Sequence, residues 1–188
     1  MNLKLQACRL VAKLPLIHSA RWPFGKIEVL LAYDFRRSNK AEYEYLTTYY
    51  PDYCSLYGDG TPDYFKNNFH YFASVRTTDR LDIISHANEH GIGRERTAED
   101  LAQELRRYSL REVGVIKFQG CDLGKGVWLE QARDAFLQAG ISFAYMAAPL
   151  GRIQWLPPFK YVDVEHGGER YRVIKGNIKR SFPGTRYV

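Results

Sequence analysis

The chain has 188 residues, enough for one domain with a substantial core. Its 45% hydrophobic and 26% charged content is that of an ordinary soluble globular protein, and no run approaches the roughly 18 apolar residues of a membrane span. A net charge of +6 permits an anionic partner without requiring one, and the basic residues are spread out as on a solvated surface.

Residues 1–17 read as an edge strand or an amphipathic arm, because Leu3, Leu5 and Ala7 alternate with polar neighbours. Lys4, Arg9 and Lys13 interrupt any signal-peptide core, so the expected location is soluble, in the cytoplasm or secreted without a recognisable signal. Arg21-Trp22-Pro23-Phe24-Gly25 is a turn. Residues 26–33 form the clearest early strand, apolar enough for burial on both faces. Residues 41–50 have a weak helical pattern. Residues 51–68, with Pro51, Gly58, Gly60 and Pro62, read as a long irregular excursion, and residues 69–75 as a further strand.

From residue 81 the order is strand, helix, strand, helix, strand. The apolar run 81–86 ends in His86 and the run 113–121 ends in Cys121. Between them residues 97–108 form a helix, with Thr97 and Asp100 in capping-box spacing. Residues 127–139 form a second helix that Gly140 stops, and residues 141–148 a third strand. Residues 160–165 and 169–174 are expected to pair as a C-terminal hairpin, followed by a basic tail with Lys175, Lys179, Arg180 and Arg186. The expectation is one α/β domain over 1–188, with a mostly parallel sheet and residues 160–188 as hairpin and tail.

Parallel strands carry their sites at their carboxyl ends. His86 and Cys121 both lie there, and neighbouring strands are only about 5 Å apart. A histidine can make or stabilise the thiolate and then protonate a leaving amine. Backbone N–H groups near Gly120 can face the developing oxyanion. The competing reading of Cys121 is a packed core residue. Cys8 and Cys54 have no such partner and read as structural or incidental. With three scattered cysteines and five histidines outside zinc spacings, neither disulfide framework, metal nor cofactor is expected. His86 and His90 are four apart, but in a loop.

The pattern Ile83-Ile84-Ser85-His86-Ala87-Asn88-Glu89, followed by a capped helix and Ile116-Lys117-Phe118-Gln119-Gly120-Cys121, resembles the caspase-like cysteine peptidases. It is most similar to the self-processing cysteine protease domains of large bacterial toxins and to related bacterial surface-protein domains. The resemblance covers about residues 80–150, with 26–33 as a first strand of the same sheet. It implies a three-layer caspase-like sandwich and a bacterial effector or toxin-related cysteine peptidase, or a related thiol acyl-transfer enzyme. Cys121 is then the nucleophile and His86 the catalytic histidine, with the N–H groups of Ala87 and Cys121 at the oxyanion. The family has glycine after the histidine where this chain has Ala87. His90, followed by Gly91, is the alternative histidine. The expected partner is a protein or peptide substrate, with residues 51–68 and 146–155 as pocket walls. The toxin proteases also carry a C-terminal hairpin and bind inositol hexakisphosphate through basic residues, which makes an anionic activator a further implied partner. The alternatives are a basic, tyrosine-rich nucleic-acid-binding domain, less favoured, and a catalytically inactive interaction domain, to which Ala87 points.

Overall fold

The computed structural model describes residues 22–33, 43–44, 46, 50, 53–56, 69–93, 96–156, 159–164 and 168–182. The expected arm at 1–17, most of the expected excursion at 51–68 and the end of the basic tail lie outside the described residues.

The chain is α/β, built on a mixed, mostly parallel six-stranded sheet. Its strands are β1 (Ile27–Leu31), β2 (Tyr53–Ser55), β3 (Arg80–Ile84), β6 (Glu112–Gln119), β7 (Ser142–Pro149) and β10 (Tyr171–Lys175). They lie in the order β10-β7-β6-β3-β1-β2. All neighbours are parallel except β10, which runs antiparallel to β7. Two short ribbons stand apart: β4 (Ala87–Asn88) with β5 (Gly91–Ile92), and β8 (Arg152–Leu156) with β9 (Phe159–Asp163).

Helices α1 (Ala98–Arg107) and α2 (Trp128–Gln138) are the crossovers between β3, β6 and β7. Thr97 and Asp100 cap α1 reciprocally, as their spacing predicts. Ser109 and Gly140, both with positive φ, end the two helices in Schellman turns. Leu101 and Leu105 of α1 and Leu129, Ala132 and Phe136 of α2 are fully buried against Leu81, Ile83, Ile116, Phe118 and Phe143. Burying each large side chain contributes about 1.5–3 kcal/mol.

The opposite face of the sheet is covered by Trp22 and Phe182 at one end and by Leu46 and Tyr50 at the other. Helical backbone at Tyr43, Glu44 and Leu46 agrees with the weak pattern over 41–50. Between these clusters the face is polar yet buried. Arg80 holds Asp82 through two bonds of 2.7 and 3.1 Å. Gln119 donates to Asp82 at 3.5 Å and accepts from the Tyr171 hydroxyl at 3.3 Å. The Lys117 ammonium stands 4.2 Å from the centre of the Tyr171 ring.

Three expectations change. Residues 69–74 are turns rather than a strand. They are followed by Asp79, whose carboxylate accepts the N–H groups of Lys26 and Arg76 and ties the amino ends of β1 and β3 together. Tyr53–Ser55, inside the expected irregular excursion, forms the edge strand β2. The C-terminal hairpin is formed by other partners than expected. Residues 159–163 pair with 152–156, and 171–175 pair with the open edge of β7. That edge offers a longer apolar ladder than β9 does, so β10 completes the central sheet.

Burial, reinforced by the Arg80 guanidinium and opposed by Asp82, pushes Lys117 down to about 8. The unfolded chain, with its lysine near 10.5, therefore binds the extra proton between those values. Stability rises with pH across that window, and the cost of the buried ammonium is fully present below it. Relative to Lys117→Met, wild-type stability should rise by roughly 3 kcal/mol between about pH 8 and 10.5, read by urea unfolding. Parallel curves for the two proteins would contradict the buried charge.

Candidate functional site

The parallel strands alone follow a doubly wound order whose direction reverses between β1 and β3, where such sheets form a crevice at their carboxyl ends. β3 and β6 border that region in register, with Ile84 opposite Gln119. Pairing continues one step further, as the Ser85 N–H donates to the Gln119 carbonyl at 3.3 Å. His86 and Cys121 are each two residues past the Ile84–Gln119 pair. Both residues therefore leave neighbouring strands at the same edge of the sheet. Side-chain alternation carried past the strand ends directs both to the face opposite α1 and α2.

His86 is exposed. Its carbonyl accepts two bonds, from the Ser85 hydroxyl at 2.7 Å and from the Gly93 N–H at 2.8 Å. Its ring meets Tyr33 edge-on, with centroids 4.6 Å apart. Tyr33 enters from the end of β1, across the switch point. Sequence reading missed it as a site residue, since only the strand order makes the two neighbours.

Ala87 opens the β4–β5 ribbon opposite Ile92. The hydrogen-bonded rung on one side is His86–Gly93, so Ala87 occupies a non-hydrogen-bonded rung and its N–H is directed away from β5. The Ala87 methyl lies against Gly120: a β-carbon on Gly120 would stand 2.5 Å from it and 3.2 Å from the Ser85 carbonyl oxygen. Alanine after His86 and glycine before Cys121 thus fit each other as a pair. His90 stands at the ribbon's tip with its side chain 83% exposed, its N–H bonded to Asn88 at 2.9 Å.

Cys121 is a half-buried free thiol. Its Sγ accepts the Ile153 N–H at 3.4 Å; among the described residues, no hydrogen bond joins it to His86. This places β8, part of the expected wall at 146–155, directly over the sulfur. The next residue, Asp122, has φ 59°, a left-handed conformation uncommon outside glycine, though Asp adopts it more readily than most residues. The turn is held by Asp122 N–H to Gly151 at 3.0 Å and Gly124 N–H to Pro149 at 2.8 Å. Arg172 of β10 donates to the Gly126 carbonyl at 2.8 Å and pairs with Glu130. Cys54, by contrast, is buried in β2 and donates its thiol to the Val29 carbonyl.

On the helix side of the ribbon lies a groove of about 680 Å3, walled by Asn88, Gly91, Thr97 and Trp128 among others. Among the described residues no cluster of three or more His, Cys, Asp or Glu could hold a metal ion, and no helix is long and apolar enough to cross a membrane. Comparison with protein-family models, curated proteins and solved structures returns no match.

The Ala87–Gly120 fit can be measured. Gly120→Ala should destabilise the fold by about 1–3 kcal/mol through overpacking. Ala87→Gly in the same chain should restore at least about 0.5 kcal/mol of that loss in a double-mutant cycle of urea midpoints. Additive effects would mean that the two positions do not touch.

Proposed function

We infer that the chain is a cysteine peptidase, or a closely related thiol acyl-transfer enzyme, acting on a protein or peptide substrate. The observation that supports this reading is the β3–β6 register, in which the two strands end level at Ile84 and Gln119, two residues before His86 and Cys121. Cys121 Sγ attacks the peptide carbonyl carbon while His86 holds the thiol proton. The tetrahedral oxyanion is met by the N–H groups of Ala87 and Cys121. The C–N bond then breaks as His86 passes the proton to the leaving amine, and water hydrolyses the acyl-enzyme. The Ile153 N–H at Sγ supports this reading, because a hydrogen bond to sulfur strengthens as the sulfur gains charge.

Several features support the caspase-like reading in particular: the parallel body with two crossover helices on one face, the His-bearing strand end beside the Cys-bearing one, and the ribbon that directly follows the histidine. The Ala87 departure from the family pattern is matched by Gly120. That match favours a competent backbone over an inactive domain.

The first experiment is the rate of Cys121 alkylation against pH, followed by mass spectrometry. Wild type should react quickly well below about pH 8, and His86→Ala should lower that rate by at least about tenfold. An inert thiol in both proteins, or identical free-thiol behaviour in both, would remove the dyad from the resting enzyme.

A second reading has an observation of its own. Arg170, Lys175, Lys179 and Arg180 are exposed along the C-terminal segment, with Glu169 beside them. A polyanion such as RNA would bind there with an affinity that falls steeply as salt rises. Gel-shift titration at two salt concentrations tests it; binding that is absent or insensitive to salt rejects it.

A further inference from the structure

The backbone of His86 is fixed and its ring is not fixed by the same bonds. The Ser85 hydroxyl at 2.7 Å and the Gly93 N–H at 2.8 Å both hold its carbonyl. Neither reaches the imidazole, which is exposed and turns about two side-chain torsions. Such a ring has several staggered rotamers, and only some of them present a nitrogen to a neighbouring strand end. Proton transfer with Cys121 needs the ring kept in one of those.

β1 delivers a side chain to that ring. β1 and β3 pair in parallel with Leu31 opposite Ile84, and the Ala32 N–H carries the pairing one step further, to the Ile84 carbonyl at 2.8 Å. Tyr33 and His86 each follow the Leu31–Ile84 pair by two residues, on the same alternation as that pair. Leu31 and Ile84 belong to the cluster on the face opposite the helices, and Tyr33, itself partly buried, packs against it. There the two rings meet edge-on, with 4.6 Å between centroids and 81° between planes. Tyr33 Cδ2 also stands 3.9 Å from where a β-carbon on Gly93 would be. Gly93 has φ 61°, a conformation that favours glycine, and its N–H is the one that holds the His86 carbonyl. The tyrosine ring is thus braced by a buried cluster and by the returning ribbon, and is stiffer than the imidazole it touches.

We propose that Tyr33 is a positioning residue, whose ring selects the rotamer of His86 that serves Cys121. This role rests on the dyad proposed above. Strand order gives it a direction. β1 and β6 flank β3 on opposite sides, so Tyr33 and Cys121 approach His86 from opposite sides. A tyrosine ring on the β1 side closes that side to the imidazole and leaves it the β6 side, where Cys121 stands. The contact is made by the ring, and the hydroxyl takes no part in it. An edge-on aromatic pair attracts strongly enough to shift a rotamer population by about two- to tenfold.

The test compares Cys121 alkylation below about pH 8 in the full chain, as wild type, Tyr33→Phe, Tyr33→Leu, His86→Ala and the Tyr33→Leu/His86→Ala double variant. The ring resonances of His86 are followed by NMR alongside. Tyr33→Leu should slow the reaction about fivefold, and Tyr33→Phe, which keeps the ring, by less than about twofold. In the His86→Ala background Tyr33→Leu should slow it no further, because the tyrosine acts through the histidine. The His86 ring resonances should move in Tyr33→Leu and keep their places in Tyr33→Phe. Should Tyr33→Leu fail to fold, Tyr33→Met keeps the apolar bulk without the ring and carries the same comparison. A tyrosine that only packs would slow alkylation equally with and without His86, and that result overturns the positioning role. So does a wild-type rate in Tyr33→Leu, or a loss in Tyr33→Phe as large as that in Tyr33→Leu. The dyad is read apart from these. A wild-type rate in His86→Ala removes the dyad and the role of Tyr33 with it, whereas a slow His86→Ala beside a fast Tyr33→Leu removes the tyrosine's role alone.

Discussion

Arg80 and Asp82 sit side by side in the middle of the sheet, 5% and 0% exposed, and much of the structure is decided by where that pair must go. Withdrawing two charges from water costs several kcal/mol per ion unless each finds a partner of good geometry. Their two-bond contact meets that condition only on the face where Gln119 and Lys117 of β6 also point. A one-residue slip of β3 would turn every side chain over and press both charges into the layer of Leu101, Leu105 and Phe136. A two-residue slip would keep the face but part Asp82 from Gln119. The buried polar group thus restricts β3 to one register against β6. That register ends the two strands level at Ile84 and Gln119, just before His86 and Cys121.

The same logic separates what the sequence makes legible from what it hides. The alternation from β3 to β7 is readable because each unit carries its own signals: the Thr97–Asp100 box, the apolar stripe of each helix, and Gly140 where only a left-handed residue ends α2 well. The strand ends at His86 and Cys121 are readable for the same reason. The C-terminal pairing is not, because it is a competition between edges. Residues 160–165 and 169–174 look like adjacent strands separated by glycines, yet each segment finds a better partner elsewhere. Pro157-Pro158 is a turn signal between 152–156 and 159–163, and carried more weight than the His166-Gly167-Gly168 link.

The supporting residues of the site were hidden for another reason. Tyr33, Ile153 and Trp128 have ordinary local contexts: a strand end, a strand after a proline, and the first turn of a helix. They meet the histidine, the sulfur and the groove through strand order and chain reversal alone. The Ala87–Gly120 contact is of this kind too. Read along the chain, Ala87 looks like a lost glycine; read across the sheet, its methyl occupies the space that Gly120 leaves open.

The two described cysteines show what a packed thiol requires and what Cys121 has beyond it. Cys54 behaves as a small apolar residue: it is 6% exposed, lies within a strand, and returns its weak donor to the Val29 carbonyl of the neighbouring strand. Cys121 stands at a strand end, half-buried, with a donor aimed at its sulfur and a left-handed Asp122 immediately after it. The other non-glycine residue with positive φ among the described residues, Ser109, sits in a helix-ending turn that has its own use for that conformation. Asp122 has no helix end to close. Its strain is held by bonds from the β7–β8 connection and, one turn on, by Arg172 from β10. Two separate parts of the chain therefore converge to fix the backbone beside one thiol. Backbone strain held beside a half-buried thiol is what the peptidase reading proposed above would use.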